Sequence, residues 1–275
     1  MKKLKSFLKN PQTIVGFAIL AVMVLLAAFA PVICPGNPLF SVGKPLQAPG
    51  GAFFMGTDYL GRDVWAMLVW GSRISILFAF GASLLSLIVG IVLGALSGYI
   101  GGWLDDLMCR VFELFYIIPR TFLVILMVAF FGSSVWLMVF IIGITIWPSN
   151  AKIMRAQVLT LKSRGYVQAG NVAGGTRLGI LFKHIVPNGM GPVLSNSILQ
   201  MAQADLTEAS LSVLGLGDPN KASWGLILNA GQKHINSAPW LVIYPGIALA
   251  LLLLAFNLIG TALHKTLNVK QTVME

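Results

Sequence analysis

Two carboxylates stand inside a long apolar stretch of this chain and are its most chemically suggestive residues. Asp205 and Glu208 are three residues apart, so a helix would place them on one face. Each would cost roughly 2.5–3.5 kcal/mol if it faced lipid at the bilayer centre, so we expect both to point into a helix bundle or to lie near its outer end. Two roles remain open for them, a translocation path that favours cationic cargo and a structural contact between helices.

Arg120 lies well inside the predicted span 107–131, and it follows Pro119 directly. Glu113 precedes it by seven residues, so a continuous helix would place both on one face, about two turns apart. An arginine at membrane depth is costly unless it faces protein, water or headgroups. Arg120 is therefore predicted to extend its charge to the membrane interface, to pair with a neighbouring helix, or to line a cavity of the translocation path.

The side-chain combinations of familiar enzymes are absent from the sequence. It contains no Gly-x-x-x-x-Gly-Lys-[Ser/Thr] loop, no His-Glu-x-x-His and no Gly-x-Ser-x-Gly. Its histidines lie apart in polar segments, and Cys34 and Cys109 fit no metal-ligand spacing. We expect no catalytic residue, no metal and no cofactor on this chain.

The composition is that of an integral membrane protein. Of the 275 residues, 57% are hydrophobic and 10% charged, with a mean hydropathy of +0.84. The formal charge of +10 comes from cations that flank the apolar runs, so we interpret it as a determinant of membrane topology and not as a nucleic-acid site. We predict an all-α, polytopic bundle of six transmembrane helices with both termini cytoplasmic. The predicted spans are 14–33, 74–97, 107–131, 135–147, 192–214 and 240–263.

Small residues recur at steps of four along the second predicted span: Ala82, Ser86, Gly90, Gly94 and Gly98. They form one ridge on a helix and allow a second helix to approach closely, which is how helices associate in lipid. This ridge is predicted to be a packing face.

A glycine-punctuated turn precedes the second span and contains Asp58, Arg62 and Asp63. A carboxylate here can cap the helix that begins near Asp63 by accepting from free backbone amides. A structural turn and a docking surface for an external partner are both open interpretations.

The segment from Asn150 to Pro192 is the long polar connection between apolar runs, and no carboxylate lies between Glu113 and Asp205. Its cations are Lys152, Arg155, Lys162, Arg164, Arg177 and Lys183. A loop with this charge belongs on the cytoplasmic side. Residues 166–174 are predicted to form a short helix that a cytoplasmic protein holds.

This segment resembles the EAA loop of the permease subunits of binding-protein-dependent ABC importers. The matching positions are Gln168, Ala169 and Gly170, then Gly174, and His184 to Pro187. Gln168 stands where the family has an acid, and Gly170 where it has an alanine.

Five further motifs resemble the dipeptide/oligopeptide/nickel permease group, and its C-type subunit in particular, over roughly Met55 to Leu267. They are Gly56-Thr57-Asp58-x-x-Gly61-Arg62-Asp63, Gly98-Tyr99-x-Gly101-Gly102-Trp103-x-Asp105, Glu208-Ala209-Ser210-Leu211-Ser212-x-Leu214-Gly215-Leu216-Gly217, Ser223-Trp224-Gly225 and Ala255-Phe256-Asn257-Leu258-Ile259-Gly260.

The resemblance implies a type I ABC importer permease fold and a subunit in the inner membrane. It also implies a homologous B-type permease, two cytoplasmic ATPases that use ATP and Mg, an extracytoplasmic solute-binding protein and membrane lipid as partners. Coupling to the ATPases would run through a cytoplasmic coupling helix, at Tyr166, Gln168, Ala169, Gly170, Val172, Gly174 and Pro187.

On this basis the chain divides into 1–33 (tail and first helix), 34–71 (external loop), 72–267 (permease core with the loop 150–192) and 268–275 (cytoplasmic tail). The expected cargo is a di- or oligopeptide, and nickel or a metal chelate is the alternative. A self-sufficient carrier or channel, in which Glu113, Arg120, Asp205 and Glu208 relay protons or ions, is the competing class.

Overall fold

The computed structural model describes residues 7–268, and within them the fold is all-helical, with three isolated β-bridges between residues 41 and 63. The predicted tail, 268–275, lies outside the described residues apart from its first position. The helices are α1 (Pro11–Ile33), α2 (Val64–Ile100), α3 (Gly102–Ile117), α4 (Arg120–Phe131), α5 (Val135–Leu161), α6 (Gly165–Val172), α7 (Arg177–Ile180), α8 (Val186–Val213), α9 (Trp224–Lys233) and α10 (Trp240–Asn268). A π-helical turn, Leu181–Ile185, joins α7 to α8.

Four of these helices are long and apolar enough to cross a membrane: α1, α2, α5 and α10. The bent pair α3 and α4 adds a fifth candidate if it is one span. The fifth predicted span corresponds to α8, which is not among the candidates because serines, amides and two carboxylates dilute its apolar residues. The chain is therefore a multi-pass membrane protein, and its sixth span remains a prediction.

The prediction that residues 107–131 form one continuous helix is wrong. The chain bends by 84° between α3 and α4, at Ile118 and Pro119. Ile118 has ψ 123°, since a proline disfavours helical backbone in the residue before it. Glu113 and Arg120 therefore lie on different helices and do not share a face.

The predicted end of the fourth span at Trp147 is also wrong, because α5 continues through Pro148 to Leu161. Asn150, Ala151, Met154 and Val158 continue its buried face beyond the proline. The polar connection that lies outside α5 and α8 is accordingly shorter than the predicted loop and spans 162–185.

The predicted packing ridge on α2 is confirmed, since all five of its small residues are buried. A Cβ on Gly90 would lie 2.5 Å from the Cβ of Asn150, and one on Gly98 would lie 2.8 Å from the carbonyl oxygen of Arg155. A Cβ on Gly94 would overlap the backbone of Ala151. The glycines thus bring α2 and α5 into backbone contact along about two helical turns.

A buried polar network joins α2 and α5 to α8. Asn150 donates to Gln200 Oε1 at 2.8 Å, and Ser86 donates to the same oxygen at 2.8 Å. Asn196 donates to Asn150 Oδ1 at 2.8 Å, and Gln200 donates to the Ile146 carbonyl, close to Pro148, at 2.9 Å. These hydrogen bonds satisfy polar groups that would have no partner in lipid or in an apolar core.

We predict that Gly94→Val destabilises the bundle by about 1–3 kcal/mol, the usual cost of forcing extra atoms into a packed core. Gly246→Val is the matched control, because a Cβ at Gly246 of α10 meets nothing within 4 Å. Thermal unfolding in detergent should show a lowered midpoint for Gly94→Val alone. Equal midpoints for the two variants would contradict the backbone contact between α2 and α5.

Candidate functional site

One face of α6 fixes this helix to the rest of the protein. Val167 is 1% exposed and packs in an apolar cluster with Ile180, Leu181 and Ile185. Gly170, three residues later, faces Ile180, whose side-chain carbons would lie 3.8 Å from an added Cβ. The helix is therefore seated on α7 and the π-helical turn, which lead directly into α8.

The opposite face of α6 is free. Val172 is 90% exposed and Tyr166 is 46% exposed, and Ala169 and Ala173 are exposed beside them. These residues follow the predicted spacing of one helix face. The described chain does not cover this apolar face, and the segment around it contains several cations. Such a surface is suited to contact with another protein.

The remaining residues of the predicted coupling segment lie around this helix. Gln168 is exposed, and its Nε2 donates to the Ser163 carbonyl at 3.4 Å. Gly174 ends the segment with φ +80°, which a side chain would strain. Pro187 lies in the first turn of α8 and is exposed.

An ion pair holds the C-terminal ends of α2 and α5 to the start of α3. Arg155 donates to both carboxylate oxygens of Asp105 at 2.6 Å, and Ser97 also donates to Asp105. Lys162, at the end of α5, donates to the Gly98 carbonyl at 3.2 Å. Sequence reasoning noted Asp105 and Arg155 in separate motifs but had no signal for their pairing, because they are fifty residues apart.

Asp205 and Glu208 lie inside the described chain itself. Asp205 is fully buried, and neither of its carboxylate oxygens makes a hydrogen bond within residues 7–268. Glu208 is buried too, and Ser212 donates to its Oε1 at 2.7 Å. Neither residue lines either of two cavities in the described chain, of about 790 and 750 Å³.

Arg120 lies apart from this carboxylate pair. It begins α4, is partly exposed, and donates from Nη1 to Gln203 Oε1 on α8 at 3.3 Å. Gln203 is on the exposed side of α8, whereas Asp205 and Glu208 are on its buried side. The three predicted path residues therefore do not form one cluster.

A buried ion pair holds the glycine-punctuated turn that precedes α2. Asp58 and Arg62 are 1% and 7% exposed, and Arg62 Nε donates to Asp58 Oδ2 at 2.6 Å. Asp58 Oδ1 also accepts from the backbone N–H groups of Leu60 and Arg62 at 2.9 Å. Tyr59 and Leu60 are exposed at the tip of this turn, so they, and not the ion pair, form the surface that a partner would meet.

Asp63 caps α2, as predicted, by accepting from the backbone N–H of Trp65 at 3.0 Å. Burial raises the pKa of the Asp63 carboxyl above its usual value, while the backbone hydrogen bonds of Trp65 and Ala66 oppose that rise. Trp224, which begins α9, is buried against Gly71 and donates from Nε1 to the Leu68 carbonyl at 2.9 Å. The start of α2 is thereby fixed from two sides.

Comparison with known proteins gives two matches along the chain. Residues 3–49 match the N-terminal TM domain of oligopeptide transport permease C. Residues 90–272 match the family described as binding-protein-dependent transport system inner membrane component. The chain belongs to this family. It is a family of membrane transport components.

The similar proteins align along nearly the whole chain. The oligopeptide transport system permease protein OppC of Bacillus subtilis is 35% identical over 269 residues, which are 96% of this chain and 87% of that protein. The dipeptide transport system permease protein DppC of Alkalihalophilus pseudofirmus is 34% identical, over 97% of this chain and 88% of its own. OppC of Haemophilus influenzae is 36% identical, over 97% and 87%.

We predict that Asp58→Asn destabilises the turn that precedes α2, since it leaves Arg62 buried without its counter-charge; breaking such a pair typically costs about 3–5 kcal/mol. Faster limited proteolysis between residues 34 and 63, together with a lower thermal midpoint, is the expected result. Asp106→Asn, an exposed carboxylate, is the control and should behave as wild type. Unchanged proteolysis of Asp58→Asn would show that the ion pair does not hold the turn.

Proposed function

We propose that this chain is a permease subunit of an ATP-driven importer, and that it forms half of a path for di- and oligopeptides across the cytoplasmic membrane. Membership of the transport family supports the general role. The names of the similar proteins, oligopeptide and dipeptide transport permeases, support peptide over nickel or a metal chelate as the cargo.

In this proposal α8 is the sixth span. It packs against α2, α5 and α10, and its amides take part in the buried network, so its polar residues need not face lipid. The cations of the central segment then lie on the cytoplasmic side together with both termini.

The observation that carries the proposal is the open apolar face of α6. A helix with one face buried by its own chain and the other exposed is suited to a groove on a partner. We assign that groove to a cytoplasmic ATPase, one of two that bind ATP and Mg. A homologous B-type permease would complete the path, and an extracytoplasmic solute-binding protein would deliver the cargo.

The contacts around α6 link any movement of this helix to α5 and α8. Val167 holds the helix to Ile180 and to the turn before α8, while the short connection from Leu161 to Gly165 holds it to α5. A shift of α6 as the ATPases close would therefore move the inner ends of α5 and α8. Rocking of these helices between inward-open and outward-open states is the alternating-access mechanism of transporters.

We propose that Arg120, which is partly exposed beside Gln203, lines the translocation path. Asp205 and Glu208 would enter it only through a rearrangement that opens α8 from α2, because this chain encloses both carboxylates. A self-sufficient carrier is the weaker proposal: the bend separates Glu113 from Arg120, and neither carboxylate of α8 reaches them as a relay would need.

We predict that Gly174→Val uncouples ATP hydrolysis from uptake. Its φ of +80° would strain any side chain by about 1–2 kcal/mol, so the end of α6 would change its course and lose its fit to the ATPase. Peptide uptake by the reconstituted complex should fall while ATP hydrolysis continues.

Gly246→Val is the matched control for this experiment. Gly246 lies on α10 and not on α6, it has no positive φ, and a Cβ there meets nothing within 4 Å. It should keep both activities. Normal coupled transport by Gly174→Val would count against α6 as the coupling helix.

A further inference from the structure

Arg120 lies deep in the membrane in the proposed topology. The helix it begins, α4, has 12 residues and ends at the external turn that starts with Gly132. Twelve residues of helix measure about 18 Å, and the hydrocarbon core is about 30 Å thick. In the proposed topology α8 ends on the outer side at Val213, and Gln203, the hydrogen-bond partner of Arg120, precedes that end by ten residues or about 15 Å. Arg120 therefore lies near the bilayer midplane, which is where transporters bind their cargo.

The charge of Arg120 is not neutralised by the described chain. Within residues 7–268 the salt bridges are Arg62 with Asp58 and Arg155 with Asp105, and neither includes Arg120. Its hydrogen-bond partner is the neutral amide of Gln203. A guanidinium at this depth is tolerated when it faces a water-filled cavity or meets an anion.

The surroundings of Arg120 on α8 are polar. Gln203, Thr207 and Ser210 follow one another along one side of the helix at spacings of four and three. Gln203 and Ser210 are exposed, and Thr207 is half-buried. The hydroxyls of Thr207 and Ser210 donate to the carbonyls of Gln203 and Leu206 within α8, at 2.7 Å each. The amide of Gln203 and the guanidinium of Arg120 are therefore the groups on this side that lipid would disfavour and a hydrated path would not.

We infer that Arg120, supported by Gln203, binds the C-terminal carboxylate of the peptide as it passes through the path, and this inference rests on the proposed function. A guanidinium presents paired N–H groups that match a carboxylate in two parallel hydrogen bonds. The Gln203 oxygen already orients the guanidinium, and its amide nitrogen can donate to the same carboxylate.

The terminal carboxylate suits this role because linear peptides share it whatever their side chains are. A path that admits varied peptides has to recognise what they have in common. The hydrogen bond from Arg120 to the neutral Gln203 is long, at 3.3 Å, so a carboxylate can readily replace Gln203 as the partner of the guanidinium. When the peptide leaves, the bond to Gln203 can form again, so cargo can both bind and dissociate.

The experiment uses the complete complex, with its partner permease, ATPases and solute-binding protein, in liposomes. Uptake is measured for one peptide as the free acid and as the C-terminal amide, and each rate is corrected for the affinity of the solute-binding protein for that peptide. Wild type should favour the acid by roughly tenfold or more, the factor that a charge-assisted hydrogen bond supplies.

Arg120→Gln should remove this preference by lowering uptake of the acid while leaving that of the amide nearly unchanged. Arg120→Lys, which keeps the charge but not the paired donors, should retain part of it. Arg110→Gln is the matched control, because Arg110 is exposed on α3, and it should keep the full preference.

Three outcomes would overturn the inference. They are an equal loss of acid and amide uptake in Arg120→Gln, an unchanged preference in that variant, and failure of the variant to assemble with the partner permease, which would make Arg120 a contact between subunits. Wild-type complex that takes up neither peptide on addition of ATP would instead refute the proposed function.

Discussion

Backbone contact between α2 and α5 is the constraint on which the rest of the structure depends. Gly90, Gly94 and Gly98 leave no space for a Cβ on the side that meets α5. In lipid, where apolar burial gives helices little reason to associate, such close packing is a principal source of stability. It also aligns the C-terminal ends of both helices, so that Arg155 reaches Asp105 and Lys162 reaches the carbonyl of Gly98.

The same contact explains how a helix as polar as α8 can belong to the bundle. Close packing of α2 and α5 brings Ser86 and Asn150 together, and they in turn bind Gln200 and reach Asn196 on α8. These amides lower the mean hydropathy of α8, and a search for spans by hydropathy therefore does not select it. In the folded chain they are satisfied, which is why composition underestimates the suitability of α8 as a span.

Much of the fold could be predicted from spacing alone. The glycine ridge of α2, the cap at Asp63 and the short helix near residue 166 each depend on residues close in sequence, and all three occur in the structure. The two prolines differ in their effect on the helix: the helix before Pro119 ends, whereas α5 continues through Pro148. The backbone before Pro119 leaves the helical region, whereas the buried face of α5 continues past Pro148 because Ala151 and Met154 still pack on their neighbours.

Contacts between distant segments could not be predicted in this way. The sequence predicted that Asp205 and Glu208 point into the bundle or lie near its outer end, but not which of the two; in the structure the chain encloses both carboxylates. The partner of Asp105, the burial of Asp58 and the position of Gln203 beside Arg120 likewise follow from tertiary packing. Sequence thus located most of the chemically distinctive residues, and packing decided which of them face outward.

The most direct test of this account is cross-linking from α6 in the assembled complex. A photoactivatable label on Val172→Cys, the most exposed position of the open face, should attach to an ATPase subunit, and a label on Gly246→Cys of α10 should not. Labelling of Val172→Cys by an impermeant thiol reagent added from outside intact cells, or cross-links to the solute-binding protein, would contradict the account.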